Sequence, residues 1–346
     1  MTLERFSLPL ADPLSTADGT IDEREGFVVR FRHRGEAGVG EATPLPGWTE
    51  SLDDCRAALE TALETYEEQG HSAALLTLDA DAVPAARHGF ATALLDADAR
   101  ADGVSLARWF DPDCRPNSVP VNATIGDGPV EETIDAAAEA VGAGFDCLKL
   151  KVGAQSIEAD LARIEAVREA VGENVEIRAD ANGAWDRSTA ERAVDGLADL
   201  NVSDVEQPLP ATDLDGHRSL RNRGVGIALD ETLREHTVAE VLDAGVADVL
   251  VLKPMVVGGP GNAHTLAMRA RERGVEPIVT TTIDGVVART AAVHVAAAIP
   301  RVGHCGLATA SYLAGDLAPD PAPVDDGRIR VPQGEGLGID PEAHGP

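Results

Sequence analysis

Cys147-Leu148-Lys149-Leu150-Lys151-Val152 is the stretch on which the reading of this chain turns. The chain contains three lysines, Lys149, Lys151 and Lys253, against 26 arginines, and all three stand at the ends of apolar runs. A surface that has exchanged lysine for arginine has no structural need of these three; the chemistry of the amine supplies one. A guanidinium never loses its proton, whereas a buried amine can be tuned to act as a base. The hexapeptide alternates with period two, so as a strand it turns both ammonium groups to one face. Two like charges at close range, partly desolvated, are expected to favour the neutral amine and bring it toward the working range of a general base.

Outward from this strand, beginning at about Val119, short apolar runs alternate with amphipathic helices, the pattern of a parallel α/β fold. Strands are read at 119–125, 147–152, 175–180, 205–207, 226–230, 248–253, 277–283 and near 302–307. Between the second and third, Ile157, Leu161, Ile164, Val167 and Val171 form one helical face. Eight units at a period of about 25 residues predict a closed (β/α)8-type barrel rather than an open doubly wound sheet. No G-x-G-x-x-G follows a strand, so a dinucleotide fold has no support. Residues 1–115 read as an α+β unit, with strands at 26–32 and 38–42, loops at 14–20 and 44–50, and helices at about 51–69 and 84–101, the first capped by Ser51. After about 315 a proline-rich stretch, 319–323, leads to a short strand at 327–332 that is expected to rejoin this unit. The expected organisation is a capping domain, 1–115 with 316–346 returning to it, and a catalytic barrel domain, 116–315.

The net charge of −30 and a pI near 4.5 exclude nucleic acid and anionic membrane as partners, since both require a basic surface. Acidic side chains outnumber basic ones along the whole length, as in a protein kept soluble in very high salt, and a halophilic source is expected. Cys55, Cys114, Cys147 and Cys305 form no CxxC pair, which argues against a zinc site or redox motif, and without a secretory signal a disulfide framework is not expected. The start, Met1-Thr2-Leu3-Glu4-Arg5, has neither a basic nor a continuous apolar region, and no run approaches a membrane span, so the expected location is cytoplasmic. The oligomeric state is left open.

Asp180, Glu206 and Asp230 fall at the ends of consecutive strands, 26 and 24 residues apart, and Lys253 follows 23 residues on. A barrel puts such positions on one rim, where these folds assemble active sites. Three carboxylates converging there repel unless a hard cation joins them; oxygen ligands with positions left open predict Mg2+, with Mn2+ admitted. Lys149 and Lys151 on the second strand face Lys253 on the sixth across the mouth. A small-molecule carboxylate on the metal would hold its α-carbon between opposed amines, an arrangement suited to proton abstraction. The nine histidines form no HxH or HExxH, and His304, at a strand end, reads as a satisfied polar side chain.

Lys149-Leu150-Lys151, Asp180-Ala181-Asn182, Glu206-Gln207-Pro208, Asp230-Glu231-Thr232 and Leu252-Lys253-Pro254, in this order, resemble the muconate-lactonizing subgroup of the enolase superfamily over residues 19–339. The resemblance implies a modified β7α barrel capped by an α+β domain, and the superfamily's lysine base with bound magnesium. Within the subgroup, residues 40–47, 178–185, 230–235 and 280–283 are similar to the o-succinylbenzoate synthases of menaquinone biosynthesis. That likeness implies that Lys151 removes the α-proton of the cyclohexadiene carboxylate SHCHC and then protonates the departing hydroxide. Lys253 would stay charged beside the anionic intermediate, and Lys149 would keep Lys151 a free amine. Arg178, Asn182, Thr280, Thr281 and Thr282 would hold the substrate under the 14–20 and 44–50 loops. The chain departs from the family at Ala308, where Asp is frequent, and at Gly183, where Arg is frequent. The same lysines serve N-acylamino acid racemases, dipeptide epimerases and cycloisomerases, which stay open. A dipeptide epimerase is expected to carry Asp-x-Asp near the eighth strand, and residues 304–312 contain no acid. A non-catalytic metal-binding paralogue would have no reason to retain all three lysines.

Overall fold

The structure, a computed structural model, describes residues 1–16 and 19–342. The chain opens with an antiparallel meander of β1 (Thr2–Thr16), β2 (Gly19–His33) and β3 (Glu36–Ala42). Phe27, Val29 and Phe31 leave one face of β2 and pack on α1 (Leu52–Gln69), α2 (His71–Thr77) and α3 (Pro84–Ala101). Glycine decides how closely the layers meet. A Cβ on Gly38 or Gly40 would stand 1.9 Å from the carbonyl oxygen of Ala93 or Gly89, so β3 lies backbone on backbone against α3. Ser51 caps α1 as expected, accepting the Asp54 amide at 3.1 Å. The expected strands at 26–32 and 38–42 are the inner parts of β2 and β3. β1 was not foreseen: Pro9 and Pro13 break its pattern, and it tolerates them as an edge strand whose register shifts between Pro9 and Leu14. The 14–20 segment is therefore two arms of a hairpin rather than a loop, with residues 17–18 outside the described residues.

After α4 (Leu106–Phe110) the chain runs through β4 (Ser118–Pro120) into the repeating part. This comprises β5 (Ala123–Ile125), α5 (Val130–Gly142), β6 (Cys147–Lys151), α6 (Ile157–Val171), β7 (Glu176–Asp180) and α7 (Arg187–Asp199). It continues through β8 (Asp204–Glu206), α8 (Leu214–Leu220), β9 (Gly226–Leu229), α9 (Val238–Ala244), β10 (Val249–Leu252), α10 (Pro260–Glu272), β11 (Glu276–Val279) and α11 (Val286–Ala298). β5 to β11 pair in chain order as one curled parallel sheet of seven strands. The eighth strand expected near 302–307 is reduced to two residues: Cys305 bridges Val121 and Gly306 bridges Thr280, both parallel, and these pairs close the ring. The strand expected over 119–125 is split, because its first part pairs elsewhere. A final hairpin, β12 (Val324–Asp325) and β13 (Arg328–Arg330), lies antiparallel on β4 at the N-terminal ends of the barrel strands. The segment expected at 327–332 to rejoin the N-terminal unit thus joins the barrel base instead. The chain beyond it reaches α3, where the Leu337 amide donates to Asp96 Oδ1 at 2.7 Å.

The strand period sorts the barrel residues. Leu148, Leu150, Ile177, Ala179 and Val205 point outward under the helices. The alternate positions point inward: the register sets Cys147 beside Glu176, Lys149 beside Arg178 and Lys151 beside Asp180. Every residue of α11 is buried, in a run of alanines and valines wedged between the barrel and the N-terminal layers. Its N-terminus is held by Glu41, whose carboxylate accepts the Gly285 and Ala288 amides at 2.7 and 2.9 Å. Burial, with the Asp284 charge adding to it, pushes the Glu41 carboxyl up to about 7. Among the described residues no helix is long and apolar enough to cross a membrane.

Candidate active site

Register brings the predicted residues together at the C-terminal rim. Lys151 lies beside Asp180 across β6 and β7, Asp180 beside Glu206 across β7 and β8, while Asp230 and Lys253 directly follow β9 and β10. Lys149 Nζ stands 2.9 Å from Asp180 Oδ2 and 2.7 Å from Glu206 Oε2. Lys151 Nζ is 2.6 Å from the same Asp180 oxygen, and Lys253 Nζ 2.6 Å from Asp230 Oδ2. Asn182, left-handed at φ 44°, accepts from Lys151 at 2.8 Å and donates to Glu231 Oε1 at 2.9 Å. Trp48, on the loop after β3, covers Lys253, with the ammonium 3.5 Å from the ring centroid.

Electrostatics here run against one expectation. Burial works to lower the Lys149 ammonium, but the charges of Asp180 and Glu206 outweigh it and hold the group above its ordinary value. The neighbouring Lys151 does not drive Lys149 neutral, because the carboxylates of Asp180 and Glu206 supply the countercharge. Asp180, although buried, is held well below the usual carboxylate range by Lys149 and Lys151. Glu206 is pushed up to about 7 by burial and then by the Asp180 charge, and Asp230 is raised by burial against the pull of Lys253.

These residues fit a divalent cation. Three buried carboxylates end neighbouring strands, two of them raised by burial, and Glu231 adds to the strain on Asp230. The second oxygen of Glu231, Oε2, is buried without a partner among the described residues. Gln207 fixes the loop that presents Asp230: its Oε1 accepts the amides of Asp230 and Thr232 at 3.2 and 3.0 Å, and its Nε2 donates to Leu209 O at 2.9 Å. An all-oxygen set of this kind suits Mg2+ or Mn2+. As they stand, the carboxylates are turned onto the ammonium groups. Among the described residues the one group of ligand atoms converging within 4.8 Å lies at the other end of the barrel.

Inside the mouth is a cavity of about 80 Å³ lined by Asn122, Thr124, Lys149, Arg178, Glu206, Thr280 and Tyr312, among others. Arg178 reaches it, but its guanidinium is already engaged: Nε donates to Glu176 at 2.6 Å and stands 3.3 Å from Asp204, and Nη1 donates to His304 O at 2.9 Å. Nε and Nη1 thus tie strands together, and a grip on substrate through the remaining N–H groups of Arg178 stays a proposal. Thr280 lines the cavity while donating to Gly306 O at 2.8 Å. Thr281 is bonded to Thr309 at 3.0 Å and Thr282 to Asp284, and neither lines the cavity. Sequence reasoning missed Asn122, Thr124 and Tyr312. The first two alternate along Val121-Asn122-Ala123-Thr124-Ile125, a legible signal of an inward polar face; Tyr312 follows no strand and offers none.

Residues 132–344 match the family described as Enolase C-terminal domain-like, and residues 1–97 match MenC, N-terminal domain. The chain is 32% identical to an o-succinylbenzoate synthase of Thermosynechococcus vestitus, across 84% of this chain and 86% of that protein. It is 28% identical to the chloromuconate cycloisomerase CbnB of Cupriavidus necator, across 98% and 96%. Its structure superposes on the L-Ala-D/L-Glu epimerase of Bacillus subtilis with a TM-score of 0.87 at 29% identity, covering 98% and 97% of the two chains. With the ordered strand-end motifs and the curled seven-stranded sheet under its N-terminal cap, the chain belongs to the enolase superfamily, in its muconate-lactonizing subgroup.

Proposed function

We propose that the chain is an o-succinylbenzoate synthase of menaquinone biosynthesis, removing water from SHCHC by syn elimination. The observation that carries this reading is the inequality of the two opposed lysines. The Lys253 side chain is 12% exposed, closed between the Asp230 carboxylate and the Trp48 face, whereas that of Lys151 is 36% exposed. Both contacts of Lys253 are those of an ammonium, which suits a fixed positive charge beside a substrate anion. Lys151 has the room to take the α-proton and deliver it to the hydroxide leaving from the same face. One C–H and one C–O bond break, the ring gains a double bond, and proton and hydroxide depart as water. When bound, a divalent cation on Asp180, Glu206 and Asp230 supplies Lewis-acid stabilisation to the carboxylate next to the reacting carbon. The match of residues 1–97 to MenC, N-terminal domain, and the identity to the Thermosynechococcus enzyme support the same substrate. The acid-free segment 304–312 disfavours a dipeptide, whose amine needs a carboxylate partner.

A racemase or epimerase is the second reading, favoured by amines four strands apart and by the likeness to the Bacillus epimerase. Arginine variants separate the two. Lys151→Arg is expected to be inactive toward SHCHC, since the charge stays and the titratable amine is lost. Lys253→Arg is expected to retain measurable dehydration but no racemisation of an N-acylamino acid. Equal and complete loss of dehydration in two variants that remain folded by circular dichroism would count against the one-base mechanism. We also propose that the protein works in concentrated salt, on the ground of 59 acidic against 29 basic residues.

A further inference from the structure

The base of the barrel carries a second set of ligand-type side chains. Cys147 opens β6, Glu176 opens β7, and His304 precedes the Cys305 pair that helps close the ring. One atom of each lies within 4.8 Å of the other two. Nothing in their spacing along the chain resembles a metal motif; the strand register makes the cluster.

We propose that Cys147, Glu176 and His304 form a transition-metal site, with zinc the fitting ion. Thiolate, imidazole and carboxylate together select a borderline-soft cation, and three such ligands leave a fourth position for water. His304 Nδ1 stands 3.0 Å from Glu176 Oε2, and its other nitrogen, Nε2, stands 2.7 Å from Asp146 Oδ1. A carboxylate on the far nitrogen is the arrangement that orients a metal-bound imidazole. Nitrogen and oxygen ligands of a tetrahedral zinc stand roughly 3.3 Å apart, given bonds of about 2.0–2.1 Å, so this pair has to part by only a few tenths of an ångström. Arg178 does not block the site. It holds the other oxygen of Glu176, Oε1, at 2.6 Å, and Asp204 at 3.3 Å offsets its charge. The sulfur is buried, while the Glu176 and His304 side chains are 29% and 17% exposed, leaving a path from the base. Binding forms metal–sulfur, metal–nitrogen and metal–oxygen bonds and releases the thiol proton and the proton on Nδ1, with no change of oxidation state. The ion would fasten the eighth ring position, held in the sheet by single-residue pairs, to β6 and β7.

The test uses the whole protein in saturating Mg2+, titrated with Zn2+ and separately with Co2+. Expected are one zinc per chain after dialysis, a thiolate-to-cobalt charge-transfer band in the near ultraviolet, and a higher melting temperature with zinc. Cys147→Ser and His304→Gln should each weaken zinc binding at least tenfold, and Cys147→Ser should abolish the band. The lysine rim contains no sulfur and cannot produce that band. Retained Mg2+-dependent activity in either variant certifies its fold; should one variant misfold, Glu176→Gln takes its place. Absence of the band in the parent protein, its survival in Cys147→Ser, or equal zinc content in parent and variants would overturn the proposal.

Discussion

Lys253 is held by one carboxylate and one aromatic face, and the second of these can be removed without touching the first. A desolvated cation–π contact contributes about 2 kcal/mol. Trp48→Leu, which keeps an apolar cover but no quadrupole, is therefore expected to lower kcat/KM for SHCHC roughly tenfold to thirtyfold. Steady-state kinetics alongside thermal melts check it; an unchanged kcat/KM would show that the ring merely covers the site. Asp230→Asn is expected to lose at least about a hundredfold in Mg2+-dependent turnover while keeping its far-ultraviolet circular dichroism. Full turnover of the parent in excess EDTA would end the metal reading. The lysines and rim acids were legible because lysine scarcity and strand-end spacing are properties of the chain itself. Arg178 was legible only by half: it stands two residues before Asp180 and so shares its inward face, but nothing local told that Glu176 and Asp204 hold its Nε. The partner of Trp48 could not be read, since a contact between a cap loop and a barrel strand leaves no local pattern.

Two elements meet at Glu41, where β3 caps the N-terminus of α11. Its carboxyl titrates at about 7 in the folded protein against an ordinary 4.5, so between those values the native state keeps a proton that the unfolded chain has lost. Its contribution to stability is complete below the lower value and is lost as pH rises toward the upper one. Glu41→Gln never ionises, so its stability relative to the parent should improve by up to roughly 3 kcal/mol between pH 5 and pH 8. Urea melts at fixed high salt measure the difference, and a pH-independent difference would refute it. Gly40→Ala acts one residue earlier on the same strand: its Cβ would stand 1.9 Å from Gly89 O, so the variant should be destabilised by about 3 kcal/mol or more. A melting temperature within a few degrees of the parent's would contradict the tight seating of β3 on α3. The helices were legible from caps and periodicity, as Ser51 and the Ile157–Val171 face illustrate. β1 was hidden by its prolines, and the eighth strand was overread because an apolar run does not say whether it will find a ladder.

Across the whole molecule, charge and topology make separate demands. Unscreened carboxylate repulsion opposes the compact state, and the screening length shrinks from about 10 Å at 0.1 M salt to about 3 Å at 1 M. The melting temperature should therefore rise steadily with KCl up to molar concentrations; a flat or falling curve would remove the salt proposal. The parallel α/β arrangement was readable from the alternation of runs and helices. The return of the C-terminal hairpin to β4 was not, because a short strand such as Arg328–Arg330 carries no information about its partner. We propose a cap of residues 1–115 and a barrel of residues 116–315 as the two folding units, with the β12–β13 hairpin of the returning 316–346 segment belonging to the barrel base and the chain after it to the cap.

Gathering every lysine at one mouth gives the protein a spectroscopic property. Lysine labelled with ¹³C and ¹⁵N would yield a spectrum of three side chains, each reporting on the proposed active site. Substrate, metal ion or proton arriving there could be followed one ammonium at a time in a 36.0 kDa chain, free of overlap from lysines elsewhere.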